Sequence, residues 1–192
     1  MKDTNILIVG VGGQGTLLAS VLLGKLAMEQ GYDVKLSEVH GMAQRGGSVV
    51  THVRMCEGTV TAPVISEGDA DIIVAFEMLE AYRWVSYLKP GGKMYVNTQQ
   101  INPMPVIMGA AEYPADIREY LEKNVGEVTF MDALAIAEEL GNVKAVNTVL
   151  LGALAKELPF TKEMWLDAIA STVKPRFVEL NKAAFERGYT YR

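Results

Sequence analysis

Residues 5–9, NILIV, form an apolar run without the alternation of a half-exposed strand. Such a run suits a strand covered on both faces, as in a parallel sheet. From Thr16 to Gln30, TLLASVLLGKLAMEQ, apolar positions recur at helical spacing, and Gly31 follows as a stop. This spacing puts Leu18 on the core face of the helix. YDVKLSEV then reads as a second strand. The first forty residues thus spell strand, glycine-rich turn, helix, strand: a βαβ unit.

SVVTHVRM, residues 48–55, alternates as a third strand, and DADIIVAF, residues 69–76, is a buried-strand run. EMLEAYRWVSYL follows as a helix that stops at LKPGGK, and KMYVNT is the next strand. VIMGAAEYPADI is irregular, DIREYLEKN a short helix, and EVTFM a final strand. From Ala133 four helical patterns follow one another, broken at Gly141, Pro159 and Pro175. Pro175 fits the first turn of the last helix, where its missing N–H costs little. The pattern predicts an α/β fold. A Rossmann-like, mostly parallel sheet is flanked by helices, with a helical C-terminal part, as one domain over residues 1–192.

Composition narrows the chemistry. A net charge of -5 argues against nucleic acid as a partner. No apolar stretch approaches the roughly 20 residues of a membrane span. The opening MKDTNILIVG carries no leader pattern, so the expected location is cytoplasmic. The single cysteine, Cys56, can neither close an internal disulfide nor hold an iron–sulfur cluster. His40, His52 and Cys56 are the only soft ligands, too few for an expected zinc site, and Cys56 reads as a small buried filler. Ten methionines fit core filling or an adaptable partner surface.

Candidate chemistry starts at GVGGQG. Gly10, Gly12 and Gly15 match G-x-G-x-x-G between strand and helix, with Gly13 and Gln14 inside the turn. Glycine lets a phosphate approach the backbone, and the helix N-terminus offers free N–H groups. Gln14, polar among glycines, can aim its amide at a neighbour. Glu38 lies 23 residues past Gly15, where a dinucleotide fold places the acid that holds a ribose. Three readings of the loop stay open: a bound dinucleotide, a different anion or cofactor segment, and a structural turn. No G-K-[ST] follows, so phosphoryl transfer from a nucleoside triphosphate is not expected.

HGMAQRGGS comes directly after the second strand, so it should lie beside the glycine turn. His40, Gln44, Arg45 and Ser48 offer an imidazole, an amide, a guanidinium and a hydroxyl, and Arg45 can grip a phosphate or carboxylate through two bonds. A solvated surface loop is the plainer reading. Glu77, Asn97, Asn147 and Thr148 read as caps or buried hydrogen-bonders rather than as ligands.

GVGGQG, EVHGMAQRGGSV, DIIVAFEMLEA and NTVLLGAL together resemble the gamma-type subunit of the 2-oxoacid:ferredoxin oxidoreductases, from about Asn5 to Lys182. Within that family the small (beta) subunit of the indolepyruvate enzymes is most similar, with the pyruvate, 2-oxoglutarate and branched-chain versions still open. The resemblance implies oxidative decarboxylation of a 2-oxoacid on thiamine diphosphate. Electrons would leave through iron–sulfur clusters to ferredoxin, and the acyl group would pass to coenzyme A. This chain lacks the cysteines for clusters and the GDG signature of thiamine diphosphate, of which EGDAD at 67–71 lacks the second glycine. Both groups are therefore expected on a larger partner subunit. The resemblance implies that the glycine loop and the Arg45 loop are this chain's contribution, toward coenzyme A, with no catalytic residue of its own. Two rivals remain: an independent NAD(P)- or flavin-dependent oxidoreductase, and a binding module without chemistry.

Overall fold

The computed structural model describes residues 3–41 and 46–191. Among them, β1 (Thr4–Val11) leads through the glycine turn into α1 (Thr16–Glu29), followed by β2 (Asp33–His40), β3 (Ser48–Cys56) and β4 (Ala70–Ala75). α2 (Met78–Trp84), β5 (Leu88–Asn97), the one-turn α3 (Met104–Ile107), α4 (Ile117–Asn124) and β6 (Glu127–Met131) come next. α5 (Ala133–Glu139), α6 (Val146–Ala155), α7 (Lys162–Thr172) and α8 (Val178–Tyr189) complete the chain. The strands form one sheet in the order β2-β3-β1-β4-β5-β6. β4, β5 and β6 run parallel to β1; β3 alone opposes it, pairing antiparallel with β1 and β2.

This arrangement corrects the βαβ reading. β1 and β2 point the same way but are not neighbours, because β3 lies between them. The connection from His40 to Ser48 is too short for a parallel crossover, so β2 and β3 close as an antiparallel hairpin.

The apolar run of β1 is explained by two cores. Ile6 and Ile8 face one layer with Leu22, Leu23, Leu26, Val149, Trp165 and Phe185. Leu7 and Val9 face the other with Ile73, Met94, Leu79 and Leu121. Successive strand side chains alternate between faces, so a strand sandwiched between helices is apolar at every position. Ala19, Leu22, Leu23, Leu26 and Ala27 are the inward face of α1. Leu18 is 39% exposed, which corrects its placement on the core face.

The C-terminal helices appear as expected. Pro175 opens a 3-10 turn, 175–177, that runs into α8. Thr148 on α6 donates its hydroxyl proton to Asn181 Oδ1 on α8 at 2.6 Å, accounting for one polar residue in an apolar helix. Cys56 is buried. No helix among the described residues is long and apolar enough to cross a membrane.

Candidate functional site: the glycine turn and the β2–β3 hairpin

The carboxyl ends of β1, β2, β4 and β5 share one edge of the sheet, and the amino end of β3 joins them there. The glycine turn occupies the centre of that edge. Gly13 and Gly15 have φ of 103° and 88°, a left-handed backbone that favours glycine. Gly15 caps α1 without any side-chain cap, and no acid occupies the first helical turn. The positive end of the helix is therefore open to an anion.

Gln14 is the surprise of the turn. Its Oε1 accepts from Val11 N at 2.8 Å, and its Nε2 donates to the Phe76 carbonyl and to Gln99 Oε1 at 3.0 and 3.1 Å. The side chain staples the turn to the ends of β4 and β5 and is spent on the protein. Gly10 is likewise a packing residue. A Cβ there would meet Gln14 Oε1 and Phe76 Cβ at 3.0 Å.

The hairpin lies against the turn, as the sequence order implied. Gly12 N donates to Gly47 O at 2.8 Å, and Gly46 N to Gly12 O at 3.4 Å. A depression of about 390 Å³ opens between them, lined by Gly12, Gly13, Gly15, Thr16, Leu17, Glu38, His40 and Val49. Glu38 and His40 sit one turn of the pleat apart on β2, so their side chains share a face. Glu38 accepts from Thr51 Oγ1 at 3.2 Å. His40 Nδ1 lies 3.2 Å from the Gly41 carbonyl. Of the sequence candidates, Gly12, Gly13, Gly15, Glu38 and His40 come together here, while Gly10 and Gln14 turn inward. Gln44 and Arg45 lie outside the described residues.

Ser48 does not offer a free hydroxyl. It donates to the buried Glu80 carboxylate at 2.5 Å, which also accepts from Arg83 Nη1 at 2.6 Å and Trp84 Nε1 at 3.3 Å. This cluster anchors the start of β3 to α2. Its neighbour Glu77 is fully buried and caps α2 through Glu80 N at 2.9 Å. It also accepts from Ile101 N at 2.9 Å and the Tyr113 hydroxyl at 2.6 Å, holding both ends of the segment after β5. Burial and the bond to Glu77 keep the Tyr113 phenol well above its ordinary pKa. Asn97 donates to Phe76 O and accepts from Ala133 N. Glu77 and Asn97 are structural, as their sequence context suggested, whereas the Ser48 hydroxyl, a candidate ligand from the sequence, is spent on Glu80.

Thr16, Leu17 and Val49 also line the depression and were not singled out from the sequence. Val49 could have been found from the hairpin register, which sets it opposite His40. Among the described residues, no three His, Cys, Asp or Glu side chains gather as metal ligands.

Comparison with known proteins agrees with this architecture. The model of the family described as pyruvate ferredoxin/flavodoxin oxidoreductase matches residues 5–191. The chain is 42% identical to the indolepyruvate oxidoreductase subunit IorB of Thermococcus kodakarensis, covering 98% of this chain and 95% of that one. Among solved structures, the pyruvate oxidoreductase subunit PORC of Thermotoga maritima superposes with a TM-score of 0.73 at 25% identity, over 98% and 96% of the two chains. A keto/oxoacid ferredoxin oxidoreductase gamma subunit of Geobacter sulfurreducens does so with 0.71, also at 25% identity, over 97% and 96%. With the family model matching residues 5–191 and a relative 42% identical over nearly its full length, this chain belongs to the pyruvate ferredoxin/flavodoxin oxidoreductase family.

Proposed function

We propose that residues 1–192 act as one domain, the small, non-autonomous subunit of a cytoplasmic indolepyruvate:ferredoxin oxidoreductase. The reaction takes an arylpyruvate, coenzyme A and oxidised ferredoxin to acyl-coenzyme A, carbon dioxide and reduced ferredoxin. The near-full-length likeness to IorB carries this reading. A buried lone cysteine and the absence of a metal-ligand cluster among the described residues do not fit iron–sulfur chemistry on this chain. The clusters and thiamine diphosphate therefore belong to the larger partner subunit, which also meets ferredoxin.

The part assigned to this chain is to hold coenzyme A at the glycine-turn depression. The open first turn of α1 and the backbone of Gly13 and Gly15 suit a pyrophosphate. Glu38 and His40 suit hydroxyl or amide groups of the same ligand, and Gln44 and Arg45 extend this assignment on sequence grounds. The test is kinetic, on the anaerobically purified complex. Leu17 lines the depression and is 55% exposed, so Leu17→Trp keeps the fold while its larger ring intrudes on the depression. The coenzyme A KM should rise about tenfold or more, with the arylpyruvate KM unchanged. An unchanged coenzyme A KM refutes the site, and faster turnover of pyruvate than of indolepyruvate refutes the substrate class.

Glu38 on the depression also suits the ribose of a dinucleotide. Saturable NADH binding by the isolated chain, lost in Glu38→Ala, would favour that second reading.

A further inference from the structure

On the other flank of the α1 N-terminus lies a second cavity of about 440 Å³. Leu17 faces the glycine-turn depression, and Leu18 faces this one. Its wall brings Lys144, just before α6, together with Lys174, Arg176 and Phe177 at the start of α8. Among the described residues, no acidic side chain lines it.

The charge distribution is distinctive. Most described lysines and arginines are engaged: Lys93 with Glu127 and Glu157, Lys162 with Glu186, Arg187 with Glu139, Arg54 with Asn5 and Ala62. Among the described residues, Lys123, Lys144, Lys174 and Arg176 make neither an ion pair nor a side-chain hydrogen bond. Three of these surround this one cavity. In a chain of net charge -5, that is a local excess of uncompensated positive charge. Two helix starts add to it. The 3-10 turn 143–145 runs into α6, and the turn 175–177 into α8, so their partial positive ends point to the same place.

The rest of the lining is apolar. Leu18, Val173 and Leu180 join the Phe177 ring, whose centroid lies 4.7 Å beneath the Arg176 guanidinium. A bare inorganic anion makes no use of such a floor, whereas a nucleoside phosphate does: phosphate on the cations, base on the apolar surface. The glycine-turn depression offers the reverse balance, an acid in Glu38 and no lysine or arginine among its described lining.

We infer that this cavity is a nucleoside-phosphate site, separate from the glycine turn and held by Lys144, Lys174 and Arg176. It stands whether or not the glycine-turn depression takes coenzyme A. The experiment is calorimetric titration of the full chain with AMP, adenosine and inorganic phosphate. AMP should bind saturably, more tightly than either fragment, and more weakly as salt rises. Lys174→Glu/Arg176→Glu should weaken AMP about tenfold or more, because charge-assisted hydrogen bonds are lost and repulsion replaces them. Both side chains are exposed, so the fold should survive, as far-UV circular dichroism will verify. Leu18→Asp, which leaves the cations intact, should weaken AMP as well, and Leu17→Trp, at the glycine-turn depression, should not. Three results would overturn the assignment: no saturable AMP binding up to millimolar concentration, binding indifferent to the double charge reversal, or phosphate binding as tightly as AMP. Loss of AMP binding in Leu17→Trp alone would move the ligand to the glycine turn and also overturn it.

Discussion

Gly152 on α6 and Gly188 on α8 let two helix backbones touch. A Cβ on Gly152 would collide with the Phe185 carbonyl oxygen and stand 2.7 Å from Tyr189 N. One on Gly188 would collide with the Val149 carbonyl oxygen and stand 2.8 Å from its carbon. These neighbours are backbone atoms in regular helices, so no rotamer change relieves them. The helices would have to part by roughly 1 Å along a seam that also buries Val149, Ala153 and Phe185. Overpacking of this kind costs about 3 kcal/mol, and the better helix propensity of alanine returns about 1. Gly152→Ala should therefore lose about 2 kcal/mol, which for a chain of this length lowers the Tm by about 5 °C. Gly24 on α1 is the matched control. Its Cβ would meet only the tip of the partly exposed Leu36, at 3.2 Å, which can swing aside. Gly24→Ala should be neutral or up to about 1 kcal/mol stabilising. Urea unfolding followed by far-UV circular dichroism measures both. A Gly152→Ala chain as stable as wild type, or a Gly24→Ala chain destabilised as much as Gly152→Ala, would refute the helix-contact argument.

Glu77→Ala removes the acceptor of Glu80 N, Ile101 N and the Tyr113 hydroxyl at once, at a cost of about 3 kcal/mol, and should expose residues 99–113 to limited proteolysis; an uncut segment would contradict the pinning role. His52 is buried and accepts from Ile65 N at 3.1 Å through Nδ1; burial holds its pKa below the ordinary 6.5. As pH falls below about 6.5 the unfolded chain takes up this proton first, so stability declines until the folded imidazole is protonated as well. His52→Gln should flatten that slope in urea unfolding between pH 7 and 5, and an unchanged slope would remove His52 from the account. Leu18→Asp should leave the melting temperature nearly unchanged, because the side chain is partly exposed; an unfolded protein would restore Leu18 to the core.

The contrast between β1 and α1 shows what the sequence can carry. For β1, sandwiching between two helical layers makes every position apolar, and that signal is readable without knowing its neighbours. For α1, TLLASVLL is apolar on all sides, so period alone cannot choose a face, and Leu18 was assigned inward when Ala19, Leu22 and Leu23 hold that position. Strand identity was legible in β2 and β3, but their order was not, since periodicity says nothing of pairing partners. Loop length did contain the answer, because so short a link between His40 and Ser48 permits a hairpin and forbids a crossover. The cations of the second cavity were invisible for a different reason. Lys144 and Arg176 are far apart in the chain and meet only through the packing of α6 against α8.

The glycine motif shows the same divide within six residues. Its glycines could be read locally, since a left-handed turn and an open helix start need nothing beyond the loop. The role of Gln14 could not, because its amide acts on Phe76 and Gln99, 62 and 85 residues away. That difference bears on function. A turn held from inside by Gln14 and from the hairpin by Gly12 and Gly47 is fixed in two directions before any ligand arrives. A ligand at this turn would lose little free energy in ordering the loop. The polar residue that looked out of place among glycines is what ties the turn to β4 and β5.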